Sequence, residues 1–260
     1  MNSNPCARTE RIVTKFKLLA LGVLLASSVT AAHAEGPWSI GAGALVSPNP
    51  YKGDQNRVYP APLLGYEGDN FYFRGFNAGY YLWNDQADKL SVTAYYSPLH
   101  FRPKDSNYDS MRALDYRHST VMAGLSWVHN TDYGFLRTVL AGDILDNSNG
   151  ITWDTAWLYR YNADSLTVTP GIGIVWDSKN QNDYYYGVSG KESNRSGLNE
   201  YDAGNSWSPY VELSVNYQLN ADWNVFGMGR YMRLSKEVTD SPMVDSNWTG
   251  VLLTGVNYSF

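Results

Sequence analysis

From Trp38 onward, hydrophobicity repeats every second residue, and that period limits what the chain can fold into. Successive side chains of a strand point to opposite faces, whereas a helix brings apolar residues back every three or four positions. In 166–176, Leu166, Val168, Pro170, Ile172, Ile174 and Trp176 share one face, while Thr167, Thr169, Gly171 and Gly173 share the other. In 150–161, Ile151, Trp153, Trp157, Tyr159 and Tyr161 oppose Thr152, Asp154 and Arg160. In 207–218, Trp207, Val211, Leu213, Val215 and Tyr217 oppose Ser208, Glu212, Ser214 and Asn216. The same design recurs in 89–96 and 135–144. The mature chain is therefore all-β.

A soluble sandwich also alternates, with its apolar face turned inward and a charged face outside. Three features point instead to an antiparallel transmembrane β-barrel of the outer membrane. The segments are long enough for tilted membrane strands. Trp38, Trp83, Trp176, Trp207, Trp223 and Trp248 stand at the ends of the apolar faces, where interfacial aromatic girdles belong. The opposite faces are small and polar. Composition agrees: aromatics make up 15% and charged residues 17%, against about 25% charged in an ordinary soluble domain. The formal charge of −5 and the absence of a basic face exclude a nucleic-acid binder.

Residues 1–34 have the form of a Sec signal peptide. Arg8, Arg11, Lys15 and Lys17 precede an apolar stretch from Leu18 to Ala31, and Ala32-His33-Ala34 is a small-x-small cleavage site. Cleavage after Ala34 leaves one domain, 35–260. It also removes Cys6, the only cysteine, so the mature chain holds no disulfide and no thiolate.

Eleven strands are evident: 38–46, 58–66, 71–82, 89–98, 118–129, 133–145, 150–161, 165–178, 206–218, 222–235 and 248–260. Bacterial barrels have an even number, with both termini periplasmic. A twelfth is expected at Asp183–Ser189, with ten strands as the alternative. On this count Glu67–Asn70 and Leu219–Ala221 are periplasmic turns, and 47–57, 190–205 and 236–247 are outer loops. The segment 99–117 then falls on the periplasmic side. The chain ends on alternating Val256, Tyr258 and Phe260, and Tyr258 and Phe260 are read as an assembly signal for the barrel assembly machinery.

Catalytic chemistry is sparse. No HExxH, P-loop or GxSxG pattern occurs. His118 and Ser119, with Asp115 nearby, read as a polar strand end. The chain is therefore expected to be non-enzymatic, with no metal or cofactor. Arg137, Asp143, Asp154, Arg160, Glu212 and Arg230 are expected to face the lumen, where opposite charges could plug a small barrel or line a narrow pore.

Several stretches carry a family resemblance. They are Pro48-Asn49-Pro50-Tyr51-Lys52-Gly53-Asp54, Tyr186-Gly187-Val188-Ser189, the run SNRSGLNEY at 193–201, Thr239-Asp240-Ser241-Pro242-Met243-Val244 and the terminal Tyr258-Ser259-Phe260. Together they resemble the MltA-interacting protein/OmpV family of Gram-negative outer-membrane proteins, over essentially all of 35–260. The resemblance implies a non-catalytic scaffold linking a lytic transglycosylase (MltA) to a bifunctional penicillin-binding murein synthase. It also leaves open a small porin-like channel or a surface adhesin, the two alternatives. Outer-membrane lipid and lipopolysaccharide are the expected surroundings. The expected periplasmic interaction segment is 99–117, through Arg102, Lys104, Asp109 and Arg112.

Overall fold

The computed structural model describes residues 37–54 and 57–260. The expected signal peptide and its cleavage site lie outside the described residues. The alternating segments form β1 (Trp38–Ser47), β2 (Arg57–Glu67), β3 (Phe71–Arg74), β4 (Asn77–Asn84), β5 (Asp88–Ser97), β6 (Thr120–Thr131) and β7 (Gly134–Asp143). They continue with β8 (Ile151–Leu158), β9 (Tyr161–Ala163), β10 (Leu166–Asp177), β11 (Ser206–Gln218), β12 (Trp223–Arg233) and β13 (Trp248–Ser259). Each strand pairs antiparallel with its sequence neighbour, and β13 pairs with β1 to close the ring. β8 and β9 both pair with β10, end to end, so together they fill one position. The result is a twelve-position closed barrel.

The faces fall as the alternation dictates. Ile172, Val211, Leu213, Leu140 and Val92 point outward and are exposed, as a lipid-facing wall requires. Arg137, Asp154, Glu212, Ser91 and Thr93 point inward and are buried. Aromatic pairs mark both rims. Trp207 lies 5.9 Å from Trp153 and 6.4 Å from Trp176 at one end. At the other, Trp38 packs on Tyr66 and Trp223 on Tyr258.

The strand number agrees with the sequence, but the twelfth strand is not where the sequence places it. Asp183–Ser189 is not a strand. Residues Lys179–Tyr186 form helix α2, started by the Ser178 side chain, which accepts the Gln181 amide. Tyr185 and Tyr186 are buried against other loops, and that burial outweighs the strand preference of tyrosine. The missing strand is hidden in 71–82, which folds back as the β3–β4 hairpin. Arg74 pairs with Asn77 across the two-residue loop Gly75–Phe76. Gly75 takes φ +60° at the first loop position, where a two-residue hairpin turn can need a glycine.

That hairpin changes the side on which a later segment emerges. The segment 98–119 leaves β5 at the end opposite the chain termini. Helix α1 (Asp109–Arg112), inside it, packs against helix α3 (Gly190–Ser196). The sequence-based assignment of 99–117 to the periplasmic side is therefore wrong: it shares an end with 48–54, 178–205 and 234–247. Among the described residues, the connections at the opposite end are tight turns at Gly68–Asn70, Asp85–Ala87, Asp132–Tyr133, Asp164–Ser165 and Leu219–Asp222. Barrels of this kind carry short turns on the periplasmic side and longer loops outside.

Candidate functional site

Three places gather chemistry: the lumen, the packed loops at the outer end and the short-turn rim. In the lumen, β7, β8, β11 and β12 bring four charges into one network. Arg137 donates to Glu212 at 3.0 Å, and Arg230 donates to the same carboxylate at 2.7 and 3.1 Å and to Asp154 at 3.0 Å. Tyr210 donates its hydroxyl to Asp154 at 2.5 Å and lies 4.0 Å beneath the Arg230 guanidinium. Arg137, Asp154 and Glu212 are all at most 5% exposed, so the pairs are desolvated as well as close.

Two of the six expected lumen charges stand apart from this network. Asp143, at the outer end of β7, is spent on its own loop. It accepts the amides of Leu145, Asn147, Ser148 and Asn149 and the hydroxyl of Thr120. Those contacts hold Asp146 and Asn149 at positive φ. Arg160, between β8 and β9, lies 5.2 Å over the Phe135 ring.

The outer loops form a core of their own. Tyr51, Phe101, Met111, Tyr185, Val238 and Met243 are buried together with their neighbours, so four separate loops share one apolar interior. Tyr51 donates its hydroxyl to the Tyr185 carbonyl at 3.0 Å. Burial, reinforced by the adjacent Tyr186 and Tyr185, pushes that hydroxyl well above its ordinary pKa, so it stays a donor. A polar latch ties α3 to the 98–119 loop. Glu192 accepts Arg117 and the Asp115 amide, each at 2.9 Å, and the Ser189 hydroxyl and amide at 2.8 and 3.1 Å. Burial opposes its charge. The Asp115 and Ser189 amides, Arg117 and the Ser189 hydroxyl outweigh that and hold the carboxyl below the ordinary glutamate value.

The expected interaction segment belongs to this outer cap. Arg102 donates to the Tyr116 hydroxyl at 3.0 Å. Arg112 donates to the Ser106 carbonyl at 2.9 Å and pairs with Asp109 at 3.3 Å. Lys104 sits in the turn Pro103–Asp105. These four residues occupy the outer end, opposite the short turns. The polar strand end is equally spoken for. Ser119 accepts the Tyr96 hydroxyl at 2.6 Å, Asp115 pairs with Arg195 at 2.5 Å, and the His118 ring stacks on Tyr116. No catalytic relay joins them.

Sequence reasoning did not single out the short-turn rim. It carries Asp69, Asp85, Asp88, Asp132, Asp164 and Asp222, spread over all five turns. Asp85 is held below the ordinary carboxylate range by the Asp88 amide, with the Trp83 indole and the Ala87 amide. Glu67 differs, being clamped by Arg74 in two bonds of 2.9 Å and by the Tyr81 hydroxyl at 2.6 Å. The signal was available as an aspartate in or directly beside each of the five turns. At the same rim Tyr258 packs against Trp223 and Phe260, and the Phe260 amide donates to the Trp38 carbonyl at 3.1 Å.

A family model described as MltA-interacting protein MipA matches residues 40–260. The MltA-interacting protein of Escherichia coli (strain K12) is 64% identical over 248 residues, covering 95% of this chain and all of that protein. The MltA-interacting protein of Shigella flexneri matches to the same extent. Outer membrane protein OmpV of Vibrio cholerae is 27% identical over 227 residues, covering 87% of this chain and 88% of that protein.

Proposed function

The chain belongs to the MltA-interacting protein family, and from that premise we propose that it is a non-catalytic outer-membrane scaffold whose periplasmic rim binds a lytic transglycosylase. The observation that carries this reading is the full-length likeness to a protein named for such an interaction. The second partner is a bifunctional penicillin-binding murein synthase, held beside the first so that wall cleavage is coupled to synthesis. The chain reaches the membrane through Sec, is cut after Ala34, and is inserted by the barrel assembly machinery with Tyr258 and Phe260 as its signal. Lipopolysaccharide surrounds its outer end.

Both enzymes work in the periplasm, and among the described residues the five short turns and the strand ends beside them face that side. The rim is acidic and mostly exposed, which suits a polar interface with a basic counterpart. Linking two partners replaces a bimolecular encounter by a nearly intramolecular one, with effective concentrations on the order of millimolar for short tethers. The buried lumen network and the packed outer cap make a pore a poor second reading. They also leave an adhesin only the outer surface of the cap.

The test is co-purification of transglycosylase and synthase from cells with and without this protein. The scaffold reading requires their association to fall when the chain is deleted, while each enzyme stays active alone. His118→Ala, at the outer end, leaves the association intact. Equal co-purification in the deleted strain refutes the scaffold.

A further inference from the structure

Among the described residues, the longest unpaired stretch of the barrel wall lies along β2. β1 pairs with β2 along its whole length, from Arg57 to Tyr66. On the other side β3 pairs only with Gly65, Tyr66 and Glu67 of β2, because the hairpin turns back at Gly75–Phe76. Among the described residues no strand pairs with the far edge of Val58–Leu63, which is about 20 Å of strand at a rise of about 3.3 Å per residue. The hairpin's other arm covers β5 as far as Tyr96, so the opening is a notch above the hairpin turn, between β2 and the start of the 98–119 segment.

The sequence of β2 is fitted to that open edge. The Leu64 carbonyl accepts the Gly75 amide across the edge. Pro62, Pro60 and Val58 share its parity and aim their backbone groups the same way. Two of those three residues are prolines, which carry no N–H. A proline whose missing N–H faces an open edge leaves no ladder bond unmade, and it hinders another strand from adding there. A second copy of the chain or a partner strand is thereby disfavoured as the occupant. The outward residues on the same edge, Val58 and Leu64, are apolar and 68% and 46% exposed, so hydrocarbon is their neighbour.

On the β1 side of the notch the lumen is apolar, although a barrel interior is ordinarily polar. Leu45, Met228, Val251 and Leu253 form a buried inward cluster, with Tyr59 and Ala61 of β2 packed against it at the open side. Tyr59 and Ala61 thus join the open edge of β2 to the inner apolar cluster, and Val58 and Leu64 on the same strand join it to the lipid face. The backbone carbonyls of Val58, Pro60 and Pro62 at its lip are acceptors, and Val58 alone of the three has an amide to donate.

We propose that this notch is a lateral binding site for the acyl chain of a membrane lipid. The chain would lie along Tyr59 and Ala61 toward the inner cluster, with hydroxyl or amide donors of the headgroup region on the proline carbonyls. The site is independent of the scaffold role and of the periplasmic rim.

The full chain is folded into vesicles of phosphatidylethanolamine and phosphatidylglycerol holding a trace of monoacylglycerol with a diazirine at its chain end. The vesicles are then irradiated and the adducts mapped by mass spectrometry. Leu213, on the remote lipid face, reports ordinary lipid contact. The proposal requires adducts on inward Tyr59 or Met228 as well. In Ala61→Trp, an indole fills the mouth, and overpacking of that kind lowers the inward adducts by about tenfold while Leu213 adducts stay constant. If that variant fails to assemble, Leu63→Trp on the same strand is read identically. Wild-type adducts confined to outward residues overturn the proposal, and so does inward labelling that the indole leaves unchanged.

Discussion

Neutralising Glu212 should be the most damaging single change to the barrel. Its carboxylate holds two buried guanidinium groups, Arg137 at 3.0 Å and Arg230 at 2.7 Å. At an effective dielectric near 20, each contact is about 5 kcal/mol of attraction before desolvation is counted. Glu212→Gln keeps the shape and removes the charge. Arg230 then retains Asp154, but Arg137 is left with neutral acceptors only, the new amide oxygen and the Tyr210 hydroxyl at 3.3 Å. Breaking a buried pair from one side typically costs about 3–5 kcal/mol, because an uncompensated charge stays inside. The measurement is urea unfolding in lipid vesicles, followed by tryptophan fluorescence. Adding Arg137→Met should recover part of the loss, with a coupling of about 0.5–3 kcal/mol. A loss below about 1 kcal/mol for Glu212→Gln would refute the reasoning, since it would put the pair in the range of solvent-exposed ion pairs.

Three further outcomes are expected. Val168→Arg or Leu213→Arg, on the lipid face, should cost about 2–4 kcal/mol near the midplane, and inward Thr169→Arg less, in the same unfolding assay. Because the folded Glu192 pKa is depressed, the latch contributes its full stability above the unfolded value of about 4.3 and loses it as pH falls through the folded value. Loops 98–119 and 178–205 should therefore gain acid-dependent protease sensitivity, which Glu192→Gln should reproduce at neutral pH. Removing Phe260 should lower the yield of heat-modifiable, assembled barrel, and an undiminished yield would count against its role as an assembly signal.

Much of the fold was legible because a barrel writes its two solvents into alternate residues. Parity alone sent Arg137, Asp154, Glu212 and Arg230 inward. Their connection was not legible, because it depends on the register of β7, β8, β11 and β12, which no single segment encodes. The hairpin at 71–82 was missed because Phe71, Phe73 and Phe76 keep the run aromatic through Gly75, so one long strand and two short ones look alike. That lost crossing turned 99–117 to the wrong side. The spurious strand at 183–189 restored the count, so 190–205 and 236–247 were placed correctly by cancelling errors. The cap was beyond reach for a different reason: its core joins Tyr51, Met111, Tyr185 and Met243 from four loops with no periodicity of their own.

The rim's geometry makes the scaffold separable into parts. Around the ring, the turn carrying Asp69 lies opposite the one carrying Asp164, and the turn carrying Asp85 lies opposite Asp222, because each pair is half the strand positions apart. Two enzymes bound at once must occupy different arcs. Charge reversal on one arc, Asp69→Lys with Asp85→Lys, should then weaken one partner more than the other. Reversal on the opposite arc, Asp164→Lys with Asp222→Lys, should show the converse preference. Exposed charges are screened over about 8 Å at physiological salt, so both associations of the unmutated chain should weaken as salt rises. Binding assays of each purified enzyme against each double variant in vesicles distinguish the outcomes. If both enzymes lose affinity equally with either arc, they share one surface and compete for it. A single rim could not then hold them together, and the scaffold would need a second copy of the barrel.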